Sequence, residues 1–327
     1  MHPRRRLSLL QVFLVLCGIL FTTSGLAEPY PVRAIRIIVP YAAGGNSNVI
    51  ARTFAAKLSE SVGQPVIVDN RPGASGIIGA DVVAKAPPDG YTLLMISSGN
   101  LTTNPTLFAT LPYDTVRDFT PISNVAYTSY VLDVHPSLPV RSVRELIDLA
   151  KAQPGKIDAA IPGSGTGGHL ALELFMSMSG TTFTQVAYKG AAPALADTVA
   201  GQTKVIMDAL STSLGQVRAG AVRALGQSGA TRSPLLPDVP TIAEAGLPGY
   251  EASVYNALLG PAGLPRDIVN KLQAEVAKAG RSADVQERFA QLGITMTASM
   301  PEELADFIKI ETAKWAKIIR EAGIKAQ

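Results

Sequence analysis

Side chains able to do acid–base, nucleophilic or metal chemistry are sparse in this chain, which has 3 histidines and 1 cysteine among its 327 residues. His135 precedes Pro136 in a connection, and His169 falls in the first turn of a helix, where the positive end of the dipole opposes protonation. Two readings of His169 stay open: a donor to a ligand, or a filler of the loop–helix joint. Ser164 lacks the Gly-x-Ser-x-Gly elbow, and no order of Asp and His suggests a triad. No H-E-x-x-H or similar spacing offers a metal site. Gly163 to Gly168 does match G-x-G-x-x-G between a strand and a helix. A dinucleotide would also need an acidic residue at the end of the next strand, and that strand ends Ala187-Tyr188-Lys189-Gly190. No Lys-Ser/Thr pair follows a glycine loop as a P-loop requires. A small-anion loop is therefore the leading reading, ahead of a plain tight turn and of a nucleotide-using enzyme.

What recurs instead is a polar or glycine-rich turn where a strand ends. Such turns are Ala43 to Asn48, Ala74 to Gly76, Ser98 to Asn100, Ser164 to Thr166, Tyr188 to Gly190, and Asp208 after Val205-Ile206-Met207. The first turn of a helix has unpaired N–H groups and partial positive charge, so backbone donors gathered from two sides can surround a carboxylate with no catalytic group. The expected activity is binding, without catalysis and without a cofactor.

The elements that must hold these turns follow from periodicity. Ile35 to Val39 reads as a strand that passes through Gly44-Gly45 into a helix with Ile50, Phe54, Leu58 and Val62 on one face, stopped by Gly63 and Pro65. Val66 to Val68 and Tyr91 to Ile96 read as strands, with a helix from Ile78 to Ala84 between them. The second half restarts at Tyr127 to Val134. It continues through a helix capped by Ser142 and Glu145, a strand at Ile157 to Ile161, a helix with Leu170, Leu174, Phe175 and Met178 on one face, the strand Thr184 to Tyr188, a helix from Ala191 to Ala200 and the strand Val205 to Met207. A C-terminal arm has a strand at Ser253 to Leu259, a helix from Arg266 to Ala279 and a final helix. That helix would open on a capping box of Ser299 and Glu302 and bury Leu304, Phe307, Ile308, Trp315 and Ile319, with Trp315 as core. The alternation predicts an α/β protein with two mainly parallel sheets of similar size, flanked by helices.

Composition narrows the partners. Arg4, Arg5 and Arg6, the apolar run from Leu7 to Phe21 and the small residues Gly25-Leu26-Ala27 read as a cleaved signal peptide spanning 1–27. The run is short of the roughly 20 residues a spanning helix needs. Cys17 follows bulky Leu16, which argues against a lipid anchor. The leader carries the cysteine and three of the 29 Lys+Arg, leaving 26 basic against 26 acidic residues. A neutral mature chain without basic blocks has no electrostatic footprint for nucleic acid or anionic membrane.

Several ordered blocks carry a resemblance: YPVRAIRIIVPYAAGG, GQPVIVDNRPGASGIIGADVVAKAPPDGYTLL, GSGTGGHLALELF, YKGAAPALAD and RSPLLPDVPTIAEAGLPGYEA. Over nearly the whole mature chain the sequence resembles the extracytoplasmic solute receptors of tripartite tricarboxylate transporters, the Bug family. The resemblance implies a two-lobed periplasmic binding protein fold (type II-like), with one lobe from 28–126 and 250–327 and the other from 127–249. It also implies a monomer in the periplasm that closes on a small organic acid, a mono-, di- or tricarboxylate, and delivers it to membrane permease subunits. A sensor kinase is the alternative partner. Carried over by matching blocks, the first-lobe contacts would be Tyr41, Ala43, Gly44, Asn46, Asn48, Ala74, Ser98 and Asn100, and the second-lobe contacts Ser164, Thr166, His169, Tyr188 and Asp208. Lys189 would supply positive field or pair on the surface. Asn48 stands where many members have aspartate, which implies less preference for amine-bearing ligands, and Asn48→Asp should weaken binding of a pure carboxylate.

Overall fold

A computed structural model describes residues 30–321 and Ile324. The leader expected at 1–27 lies outside the described residues, and no described helix is long and apolar enough to cross a membrane.

In chain order the elements are β1 (Ile35–Val39), α1 (Asn46–Val62), β2 (Val66–Asn70), α2 (Ile77–Ala84), β3 (Thr92–Ser97), α3 (Ser98–Leu107), β4 (Phe119–Val134), α4 (Val143–Ala152), β5 (Asp158–Ile161), α5 (Gly167–Ser179), β6 (Thr184–Ala187), α6 (Ala191–Val199), β7 (Val205–Ala209), α7 (Leu210–Arg218), β8 (Arg223–Gln227), β9 (Ser253–Pro261), α8 (Arg266–Arg281), α9 (Ala283–Leu292), β10 (Thr295–Met296) and α10 (Pro301–Glu321). The opening unit forms as its pattern dictates. Ile50, Phe54 and Leu58 are buried against Ile35, Ile37 and Val39, and Gly63 ends α1 at φ 68° with its N–H on Ser59 O.

The parallel blocks β2-β1-β3 and β7-β5-β6 are present in the two halves. The two expected sheets are present, one in each half, and β4 joins them into the continuous order β2-β1-β3-β9-β4-β7-β5-β6, with β8 and β10 also on β4. The joint is antiparallel and depends on β4, which is twice as long as its apolar run suggested. Phe119 to Ser129 pair with β9, and Tyr130 to Val134 pair with β7. Register shifts between Pro121 and Ser123 and between Asn124 and Ala126 let this long strand bend. The chain thus passes from one half to the other within β4 and returns on β9. Separate cores flank the two halves, one around Ile37, Phe54 and Leu258, the other around Leu132, Phe175 and Tyr250.

Three local readings change. Ser98 to Asn100 is the first turn of α3, a helix hidden by its Asn- and Thr-rich composition and by Pro105. α7 and β8 had no expected counterpart. The last helix shifts its cap: Glu303 Oε2 accepts from Met300 N at 2.7 Å, Ser299 Oγ accepts from Asn124 N, and Glu302 pairs instead with Arg266. Trp315 is half-buried beside Leu107 and Ile319, at the edge of a small core.

Candidate functional site

Five helices begin at one place. The N-cap residues of α1, α3, α5, α6 and α7 are Gly45, Ser97, Thr166, Gly190 and Ala209. All five line one cavity of about 60 Å³ between the two halves. None of these helices has an acidic residue in its first turn. Elsewhere the chain does place acids there: Glu145 in α4, Asp267 in α8, Asp284 in α9, and Glu302 and Glu303 in α10. An acidic side chain would neutralise the positive helix end, so its omission at all five cavity-facing starts leaves that field for a guest.

The side chains around the cavity tell the same story. Asn46 Nδ2, Ser97 Oγ and Tyr130 Oη line it, are buried, and have no hydrogen-bond partner among the described residues. Leaving a buried donor unpaired costs about 1–3 kcal/mol, so three around one cavity mark a place built for an acceptor. Burial pushes the Tyr130 phenol well above its ordinary pKa, with Tyr41 and Asp208 adding to the shift, so it stays a neutral donor. Its hydroxyl lies where Gly167 must lack a side chain, since a Cβ there would come within 1.8 Å of Oη. Among the described residues Asp208 is the one carboxylate on the wall, and no Lys, Arg or His lines it. Asp208 Oδ1 accepts from Ala209 N at 2.8 Å and Oδ2 from Thr212 Oγ1 at 2.6 Å. Burial pushes its carboxyl up to about 6, against the pull of those two donors.

A second cavity of about 50 Å³ shares Tyr41, Pro162 and Thr166 with the first and adds Gly73 to Gly76, Gly163, Tyr188 and Lys189. Its floor is the strained pair Ala74 and Ser75, at φ 44° and 54°. Asn100 Nδ2 and Asn104 Nδ2 both donate to Ser75 O, at 2.9 and 3.2 Å, which holds that turn. A wider groove of about 680 Å³ lies along Tyr127, Arg232 and Phe289, and none of the described unpaired buried groups lines it.

The halves touch across the cleft. Ser211 Oγ donates to Asn46 Oδ1 at 2.7 Å, Thr103 Oγ1 to Gly165 O at 3.0 Å, and Ala42 N to Lys189 O at 3.2 Å. Of the residues expected from sequence, Tyr41, Asn46, Asn48, Thr166 and Asp208 line the first cavity, and Ala74 and Tyr188 line the second. Asn100 stands behind Tyr41 and accepts its hydroxyl proton at 2.7 Å. Ala43, Gly44, Ser98, Ser164 and His169 line neither cavity. Gly44 N donates to Asn48 Oδ1 at 3.3 Å, and Ser98 sits one residue beyond the cap. His169 Nδ1 accepts from Gly165 N at 2.9 Å, which leaves Nε2 to donate to Glu173 at 3.2 Å, so the ring fastens the glycine loop to α5. Lys189 is exposed. Sequence reasoning missed Ser97, Tyr130, Ala191 and Ala209. The caps could have been found by marking the last strand residue of each unit, whereas Tyr130 sits within an apolar run and gave no signal.

The tripartite tricarboxylate transporter family receptor profile matches residues 50–324. The chain belongs to this receptor family. Protein BugT of Bordetella pertussis is 37% identical over 99% of both chains. Among solved structures, the R. palustris protein Rpa4515, determined with adipate, is 38% identical with a TM-score of 0.88, covering 91% of this chain and all, 100%, of that one. MatC from Rhodopseudomonas palustris, with bound malate, is 31% identical with a TM-score of 0.86, covering 89% of this chain and 100% of that one. The periplasmic binding protein BugD is 32% identical with a TM-score of 0.87, covering 91% and 100%. Family and fold are therefore those of two-lobed solute-binding receptors, not of enzymes.

Proposed function

We propose that this receptor works in the periplasm as a monomer, closes on a small organic carboxylate and passes it to the membrane permease subunits of a tripartite transporter. One lobe comprises 28–126 with 250–327 and the other 127–249, and β4 and β9 are the crossings. The observation that carries the reading is the set of five acid-free helix starts around one cavity that also holds three unpaired buried donors. Adipate and malate in two structural relatives agree with a carboxylate as the guest. Closure follows because amides from opposite halves reach one anion together only in the closed form, so the anion favours that form.

Native mass spectrometry of the purified protein, with a melting screen of mono-, di- and tricarboxylates, tests this. An acid that binds only the folded state raises the melting temperature with the logarithm of its excess. A shift with NAD or ATP, and with no acid, would overturn the reading. Tyr130→Phe removes one unpaired donor; affinity for the acid should fall about tenfold while the ligand-free protein becomes no less stable, since the lost hydroxyl had no partner. Calorimetry alongside a melting curve checks both halves of that expectation.

Asn48 is engaged on the first-lobe side. Its Oδ1 accepts from Arg52 Nε at 3.3 Å and its Nδ2 donates to Asn70 at 2.9 Å. An aspartate introduced there would pair with Arg52, so Asn48→Asp should weaken carboxylate binding by only about threefold, a small fraction of a full like-charge repulsion. Calorimetric titration against the wild type gives the ratio, and unchanged affinity would remove Asn48 from the site.

A further inference from the structure

We propose that the ligand carries a hydroxyl on the carbon next to its carboxylate, and that this hydroxyl donates to Asp208. The inference rests on the carboxylate reading above and names the class of acid.

The first cavity offers two opposed chemistries within about 60 Å³. Around it stand the helix starts with Asn46 Nδ2, Ser97 Oγ and Tyr130 Oη, all of which seek an acceptor. Among them, next to the Ala209 cap, is Asp208, 2% exposed, which can only accept when ionised. A carboxylate has about four lone-pair positions, and hydrogen bonds from Ala209 N and Thr212 Oγ1 engage one on each oxygen of Asp208. No basic side chain on the wall offsets its charge. A guest made only of acceptors would set its own negative charge against this carboxylate, so an unsubstituted acid leaves half of the cavity's chemistry opposed.

A donor on the guest resolves the opposition. The space bounded by the helix starts and Asp208 is only about 60 Å³, so a carboxylate and a donor that share it stand on neighbouring atoms, while the rest of the guest extends past Tyr41, Pro162 and Thr166 into the second cavity. That places the donor on carbon 2. Five positive helix ends surround the same space, and they oppose a full positive charge as they favour a negative one. A neutral hydroxyl satisfies Asp208 without meeting that opposition, whereas an ammonium does not.

The test compares matched acids by calorimetry at neutral pH: propanoate, 2-hydroxypropanoate and 2-aminopropanoate, then succinate with the same substitutions. The full chain without its leader should bind the hydroxy acid at least about tenfold more tightly than the parent in the better-bound series, the value of one charge-assisted hydrogen bond. The amino acid should bind more weakly than the hydroxy acid. Asp208→Asn should bring hydroxy and parent acids within about threefold of each other. Parent and hydroxy acids bound alike by the wild type, or the amino acid bound most tightly, would overturn the assignment without touching the carboxylate reading. So would a preference retained by a folded Asp208→Asn protein. Binding of none of the six, while the melting screen finds another acid without a 2-hydroxyl that binds, would overturn the assignment alone; binding of no acid in either experiment would overturn both. The wild-type comparison needs no variant, so it decides even where Asp208→Asn does not fold.

Discussion

Gly99→Ala is expected to reduce ligand affinity by about 10- to 100-fold while leaving the unfolding of the ligand-free protein nearly unchanged. Gly99 lies in the first turn of α3, where a Cβ would stand 2.5 Å from Gly167 N and 2.9 Å from Gly167 Cα, both in the opposite half. Backbone cannot step aside as a flexible side chain does. The added methyl therefore opposes the closed form, at a cost of about 1–3 kcal/mol typical of overpacking, and under the closure proposed above that cost falls on binding, since lobes that separate would lose this contact. Within its own helix the alanine is favoured over glycine by about 1 kcal/mol, which keeps the separate lobes folded. The measurement is calorimetry with the tightest acid from the melting screen, beside a denaturant titration without ligand. Equal affinity in the two proteins would show that closure does not bring α3 and α5 together.

The second large effect is on stability and its pH dependence. Asp133 is wholly buried on β4, accepts from Ser213 Oγ through Oδ2, and has no partner at Oδ1. Burial pushes its carboxyl up to about 7, with Ser213 pulling down and Asp208 pushing up. A folded pKa above the ordinary 3.8 means that between the two values the folded protein keeps a proton the unfolded chain has released. Stability is then fully present below the unfolded value and is lost as pH rises through about 7. Asp208, pushed up to about 6, contributes in the same direction. Asn cannot ionise, so the advantage of Asp133→Asn should grow by roughly 2 kcal/mol between about pH 5 and about pH 8. Denaturant melts of both proteins at the two pH values check this, and parallel stability curves would mean that Asp133 is not the titrating group.

Much of the architecture is legible in the sequence because short apolar runs and glycine stops fix strand–turn–helix units locally. β1, α1 and Gly63 follow from spacing alone, and the Ser142 cap forms, its Oγ accepting from Glu145 N. The joining of the two sheets is not legible, because it depends on β4 continuing through Pro121 and Ser123 into an antiparallel pairing with a strand more than a hundred residues away. At the site, the glycine turns announce themselves, whereas the cap residues Ser97 and Ala209 are ordinary strand ends until helices hidden by low propensity are seen to start there. Tyr130 belongs to the wall only because β4 changes partners beside it, from β9 at Ser129 to β7 at Tyr130.

The proposed recognition by helix starts has a consequence for how this binding surface can change. A peptide N–H is present whatever residue carries it, proline excepted, so most substitutions around the rim cannot delete the backbone donors proposed to grip the anion. Selectivity is then free to vary through a handful of positions, Asn46, Asn48, Tyr130 and Asp208 among them, on a main-chain grip that stays constant. A scaffold of this kind can be retuned from one acid to another by few mutations, without rebuilding its hold on the shared head group.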